Sequence, residues 1–258
     1  MGFHIIVCIK AVMLASPKKG LVRPPDALEL NPFDRPALEV ALEMKEERAG
    51  TVTALSMGPE DCASSLCEAM AMGVDRGVLV CDPAIAGSDT LATSTALAAA
   101  ITKLAPYDLV LFGTRTADSD TGQVGPQTAV ALDIPLVTWA HAIEKSDSGL
   151  RVERRADGFL ERLELSFPAA LTIHPASVRP RHVGLAGIEE AFSGDKIEKW
   201  DLQDLALKPD QVGWAGSPTR VVSWTKVVTK RKCEFISGNA NEQAEELVRR
   251  LAKSGAMG

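Results

Sequence analysis

The chain has 258 residues, 46% hydrophobic and 24% charged, enough apolar material for one large core or two unequal ones and too much for a disordered chain. Lys and Arg total 28 against 34 Asp and Glu, and the net charge of −6 argues against a nucleic-acid partner or an anionic membrane surface. No apolar run reaches the roughly 20 residues that cross a bilayer, so an integral membrane protein is not expected.

Residues 3–9, FHIIVCI, are apolar and β-branched and read as a first strand buried on both faces rather than a secretory leader. Residues 16–31 are broken by Pro17, Gly20, Pro24 and Pro25 and predict a loop with a short extended piece. Asn31 before Pro32 predicts an N-cap and first-turn proline for a helix that ends at Gly50. TVTALSM at 51–57 is a second strand, closed by Gly58-Pro59. Asp61 or Ser64 is expected to cap the next helix, which stops at Gly73. A third strand follows at about 77–81, then a loop containing Gly87, an Ala-rich helix over 92–105 and the strand YDLVLFG at 107–113. A polar, glycine-rich loop over 114–127 leads to a turn at Ile134-Pro135.

This alternation predicts an α/β fold with a mostly parallel sheet flanked by helices. The charged-apolar alternation on either side of Asp157-Gly158 predicts a hairpin, and AALTIHP another strand, together an antiparallel extension of the sheet. After Pro175 the periodicity weakens, while Trp200 and Trp214 remain as anchors for an arm lying on another surface. A last helix is expected behind Asn239 or Asn241. The organisation is thus 1–195 as the α/β domain and 196–258 as a C-terminal arm and helix. The odd count of five cysteines, with no CxxC pair, fits free thiols in a reducing, cytoplasmic compartment.

Three loops carry candidate chemistry. Thr114–Gln127 follows a strand, where open α/β sheets bind ligands. Gly122 and Gly125 permit close backbone approach, Thr121 and Gln123 add hydrogen bonds, and a helix start follows, a pattern that suits a phosphate or pyrophosphate. The competing reading is a polar loop with ordinary capping duties. Gly87-Ser88-Asp89-Thr90, with Thr93 and Ser94 in the following helix, should open on the same edge, with simple capping as its alternative. Asn31-Pro32-Phe33-Asp34 is the third. His4, His141, His174 and His182 form no HExxH, and no GxSxG elbow is present. Asp118 and Asp120 read as turn-holding rather than metal-binding, so no catalytic residue or metal ligand is assigned, and binding a nucleotide is favoured over hydrolysing one.

The blocks NPFDRPALEVALEMKE at 31–46, VTALSMGPEDCASSLCEAMAMGVDRGVLV at 52–80, AGSDTLATSTALAAAI at 86–101 and DLVLFGTRTADSDTGQVGPQTAVALDIP at 108–135, with the later LELSFPAALTIHPASVRPRH and GSPTRVV, resemble in order the β subunit of an electron transfer flavoprotein. The resemblance implies an adenine-nucleotide-hydrolase-like architecture with an arm that embraces a larger, FAD-holding α subunit. It also implies a nucleotide in this chain: structural AMP in simple carriers, or a further FAD reduced by NADH in bifurcating members. Residues 86–94 and the VGPQ at 124–127 resemble the bifurcating subgroup, which makes FAD the leading expectation and AMP its alternative. A nucleotide-hydrolysing enzyme of the same broad fold is a further alternative.

Carried over by resemblance, Ala11 meets the adenine side, and Asn31, Pro32, Phe33 and Asp34 form a nucleotide-contacting motif. Met57 and Gly58 lie beneath the ligand, and Gly87, Asp89, Thr90, Thr93 and Ser94 approach a flavin. Asp118, Thr121, Gly122, Gln123, Val124 and Gly125 surround the phosphates. A partner-recognition loop is expected near 179–195, where Arg179-Pro180-Arg181-His182 replaces an EPRY-like run and Leu185 anchors an acyl-CoA dehydrogenase or other redox enzyme. The prolines and glycines around Leu185 predict an exposed loop rather than a helix.

Overall fold

The computed structural model describes residues 2–13, 28–146, 149–223, 225 and 233–256. The chain divides into two compact units, Met1–Arg220 and Val221–Gly258. In the first, β1 (His4–Cys8) leads to a short antiparallel pair, β2 (Ala11–Val12) with β3 (Glu29–Leu30). There follow α1 (Arg35–Arg48), β4 (Thr51–Met57), α2 (Ala63–Met72), β5 (Arg76–Val80), α3 (Thr90–Lys103), β6 (Leu109–Gly113) and α4 (Val124–Ala131). The second half adds β7 (Leu136–Lys145), β8 (Gly149–Ala156), β9 (Phe159–Ser166), β10 (Ala169–Ile173), α5 (Leu185–Phe192), β11 (Ile197–Trp200) and the single turn α6 (Gly213–Gly216).

Among the described residues, nine strands form one sheet in the order β11-β5-β4-β1-β6-β10-β7-β8-β9. All neighbours are parallel except β7 with β8 and β8 with β9. The period of two sorts β1 between two cores. Ile5 and Val7 pack with Leu38 and Leu42 of α1 and Leu66 of α2, while Ile6 and Cys8 pack with Leu97, Ala100 and Ile101 of α3 and Ala129 of α4. Helices therefore cover both faces, which is why the central parallel strands β1 and β6 read as nearly continuous apolar runs. Each fully buried Ile or Leu contributes about 1.5–3 kcal/mol relative to exposure. The alanines of α3 let that helix lie close to the sheet.

Several local expectations change. Asn31 does not cap α1; Asp34 occupies the N-cap, and Pro36 rather than Pro32 sits in the first turn. Cys62, not Asp61 or Ser64, precedes α2, because a 3-10 turn at Glu60–Cys62 takes up the intervening residues. β7 was not foreseen. It starts parallel to β10 and finishes antiparallel to β8, the change accompanied by an irregular register and by Trp139 at φ 60. Consequently AALTI is a parallel strand between β6 and β7, and the antiparallel extension consists of the β8–β9 hairpin, turned at Asp157-Gly158 with φ 50 and 83. The weakly patterned stretch after Pro175 holds α5 and the edge strand β11, so the sheet-bearing unit continues past residue 195 to Arg220. Most of the proline-rich 16–31 stretch lies outside the described residues.

In the second unit, α7 (Ala240–Lys253) begins with a capping box in which Asn239 accepts from Glu242 N and Glu242 accepts from Asn239 N. Among the described residues, no helix is long and apolar enough to cross a membrane. All five cysteines are free.

Candidate functional site

The parallel register places Cys8 beside Leu55 and Phe112, and Phe112 beside Thr172. The chain therefore leaves β1, β4, β6 and β10 on a single edge, and the predicted loops emerge there. Gly58 continues the edge by donating from its N–H to Val80 O, and Met57 ends β4 beside it. Ala11 lies just past β1, buried and paired with Leu30.

The turn at 31–34 is locked to both neighbours. Asn31 is fully buried; its Nδ2 donates to Asp34 Oδ1 at 2.8 Å and to Arg115 O at 2.9 Å, and its Oδ1 accepts from Ala117 N at 3.2 Å. Asp34 stands at an N-cap without capping: its Oδ2 instead accepts from Lys10 N at 2.8 Å. Burial pushes the Asp34 carboxyl up to about 7, against the opposing pull of the Lys10 N–H, the Asn31 amide, the Lys10 charge and the Gly113 N–H. Burial, then the nearby Asp34 charge, push the Cys8 thiol up as well. Pro32 is exposed and Phe33 half-buried, with the Arg115 guanidinium 4.4 Å from the Phe33 ring centre.

The loop after β6 is next. Lys10 Nζ pairs with Asp118 Oδ1 at 2.9 Å, and Arg115 pairs with Asp120 at 3.3 Å, so both acidic side chains have cationic partners. Gly122 has φ +60, and a Cβ there would stand 2.9 Å from Thr114 O. Gly125 is backed by Phe112 and Thr172, its added Cβ meeting them at 3.1–3.3 Å. α4 starts behind Gln123 with no side-chain cap, which leaves its first N–H groups open. The hydroxyls of Thr114 and Thr128 are buried with no hydrogen-bond partner.

The 87–94 loop joins this cluster. Thr90 Oγ1 donates to Gln123 Oε1 at 3.1 Å, and Ser94 Oγ lies 3.2 Å from Val124 O and from Gln127 Oε1. Thr93 is half-buried in the same first turns of α3. Asp89 caps α3 by accepting from Leu91 N and Ala92 N at 3.0 Å. Burial pushes its carboxyl up, but the N–H groups of Ala92, Thr219 and Leu91 outweigh that and leave it below its ordinary value.

A contribution missed in the sequence comes from 213–219. Thr219 N donates to Asp89 Oδ2 at 3.0 Å, Asp89 N donates to Ser217 Oγ at 2.8 Å, and Gly213 N donates to Ser88 Oγ at 2.8 Å. Trp214 covers Gly87, where φ is +76 and a Cβ would fall within 2.1 Å of the indole. The nearest sequence signal is the small-residue run GWAGSPT. The predicted residues thus gather into two linked groups, around α4 and around α3; Thr121 is exposed at the rim.

Leu185 stands elsewhere. It is the first residue of α5 rather than part of a loop, and it is 86% exposed. Arg181 ahead of it donates from N and Nε to the buried Glu39 carboxylate at 2.8–3.0 Å and pairs with Glu46 at 2.9 Å. Gly187 packs so closely on Ala71 O that a Cβ would approach to 2.8 Å.

The sequence matches the Electron transfer flavoprotein domain over residues 21–205. It is 40% identical over 233 residues to an electron transfer flavoprotein subunit beta from Thermoanaerobacterium thermosaccharolyticum, covering 90% of this chain and 89% of that protein. It is 38% identical over 256 residues to the caffeyl-CoA reductase-Etf complex subunit CarD of Acetobacterium woodii, covering 96% and 97%. An acryloyl-CoA reductase electron transfer subunit gamma from Anaerotignum propionicum is 36% identical over 261 residues, again with 96% and 97% covered.

Proposed function

The chain belongs to the electron transfer flavoprotein family as a β-type subunit, and from that premise we propose that it holds an adenine nucleotide, FAD ahead of AMP, at the strand ends beside α4. The observation that carries this reading is the uncapped N-terminus of α4 behind Gly122. Backbone N–H groups there meet an anion together with the helix dipole. The residues fit such a group: the backbone at Gly122 has the conformation a side chain would disfavour, and the buried Thr114 hydroxyl has no protein partner. Lys10 is neutralised by Asp118, so the loop meets phosphate with neutral donors, among them Thr121 and Gln123.

A bound flavin would supply electron transfer between NADH or a dehydrogenase and the FAD of an α subunit. The protein's part is to hold and orient it. The resemblance of 86–94 to the bifurcating subgroup supports FAD. Of α3 and α4, Asp89 closes the first and only the second keeps an uncapped end beside this loop, which keeps structural AMP as the second reading. Residues 221–258 are read as the arm that embraces the α subunit in a cytoplasmic heterodimer. Leu185 is read as the anchor for a redox enzyme; relatives named for caffeyl-CoA and acryloyl-CoA reductases point to a CoA-thioester dehydrogenase.

Denaturing the co-purified complex and counting flavin and AMP tests the assignment. One FAD from each subunit with no AMP is the expected result. FAD from the α subunit with AMP from this one supports the second reading, and no nucleotide beyond the α-subunit FAD refutes both.

A further inference from the structure

We infer that Asn31 acts on the nucleotide at one remove: it is a positioning residue that fixes the 114–118 loop, and its side chain makes no bond to the ligand, an inference that rests on the nucleotide-site reading above. Asn31 is 0% exposed. Both hydrogens of its amide are committed, to Asp34 Oδ1 at 2.8 Å and Arg115 O at 2.9 Å, while Oδ1 accepts from Ala117 N at 3.2 Å. What remains is the second lone pair of Oδ1, on a group with no exposed surface, so a ligand could bond this carboxamide only by uncovering it or by displacing one of those partners.

The bonds close a circuit. Asn31 N donates to Lys10 O at 2.9 Å, Lys10 N donates to Asp34 Oδ2 at 2.8 Å, and Asp34 Oδ1 accepts from Asn31. From this circuit the carboxamide reaches across to Arg115 and Ala117. The end of β1, the 31–34 turn and the loop after β6 are thus held in one arrangement, and the chain continues from Ala117 to Gly122 and the open start of α4. Gly113 adds to the constraint: a Cβ there would fall 2.3 Å from Asp34 Oδ1 and 2.6 Å from Phe33 O.

Asparagine is the residue this geometry requires, because the site needs two donors and an acceptor in one short planar group. Aspartate at 31 would turn an acceptor toward both the Asp34 carboxylate and Arg115 O. The same requirement explains why Asn31, although it precedes a proline and a helix, is not used as a cap. It also explains why Asp34 leaves its own helix uncapped.

The test uses the chain co-expressed with its α-type partner, stripped of bound nucleotide and titrated with AMP and with FAD. Uptake by the parent complex tests the site reading itself; if neither probe binds, that reading fails and the inference falls with it. If the parent binds, Asn31→Ala should weaken affinity by roughly tenfold or more and speed amide exchange at Ala117, and Asn31→Asp should weaken it further. The double variant Asn31→Asp with Asp34→Asn restores a donor–acceptor pair between the two positions, and it should bind at least about threefold more tightly than Asn31→Asp alone. A direct contact with the ligand would not be rescued by a change at Asp34. Parent-like affinity in Asn31→Ala overturns the inference. So does a double variant no tighter than Asn31→Asp when both melt normally.

Discussion

α3 and α4 begin on the same edge of one sheet, behind loops of similar composition, yet their N-termini are in opposite states. In α3, Asp89 is the N-cap and its carboxylate fills the helix end. In α4, the acidic residues Asp118 and Asp120 fall short of the helix and take Lys10 and Arg115 as partners, so the first N–H groups stay open. Between these two helices, placement of the acid along the loop, rather than loop composition, decides which end can receive an anion. The closed end serves structure instead, tying α3 to 217–219 through Ser217 and Thr219.

The largest expected effect comes from Gly122→Val. It forces a β-branched residue to φ +60 with its Cβ 2.9 Å from Thr114 O, and nucleotide affinity should fall by roughly 10- to 100-fold in a titration. Asp89→Ala should leave the affinity for AMP, which has no flavin to approach 86–94, within about threefold, since the end of α3 is closed to phosphate. Equal losses in the two variants would break the distinction between the helix ends.

Stability should show the reverse order of importance for Asp89. Removing the α3 cap and the tie to Thr219 should cost about 1–2 kcal/mol, read as a lowered thermal midpoint, and Asp89→Asn should recover much of it. An unchanged midpoint in Asp89→Ala would contradict the closed-end account.

Asp34 supplies a pH signature. Its folded pKa of about 7 lies above the ordinary 3.8, so its contribution to stability is full below about 3.8 and is lost as pH rises through about 7. Asparagine at this position does not titrate. The midpoint of the parent minus that of Asp34→Asn should therefore shrink between about pH 4 and pH 8, and a difference that grows over this range would reverse the assignment.

Leu185→Ala should change least in the fold, with a stability shift within about 0.5 kcal/mol, because the side chain is almost fully exposed. Its expected effect is weaker electron transfer at limiting redox partner. A lowered midpoint with intact partner affinity would make Leu185 a packing residue.

Much of this comparison was legible in the sequence, because the central strands β1 and β6, buried on both faces, are nearly unbroken apolar runs and Asp89 stands in cap position before a helix. β7 was not legible: it changes partner direction partway, and its buried and exposed positions follow neither period. β11 is a four-residue edge strand, too short to pattern. The three candidate loops were found by position after strands. Their internal roles were not, since the Asn31 and Asp34 bonds reach residues more than twenty positions away in the chain as well as each other. The open α4 end likewise depends on Asp118 meeting a lysine 108 positions away, a pairing invisible to local spacing.

Adenine nucleotide released from the denatured parent and Gly122→Val complexes tests the central claim most directly. The account predicts one molecule from each subunit in the parent, and loss of the β-subunit share alone in the variant. Equal release from the two complexes, with the variant normally assembled, would contradict it.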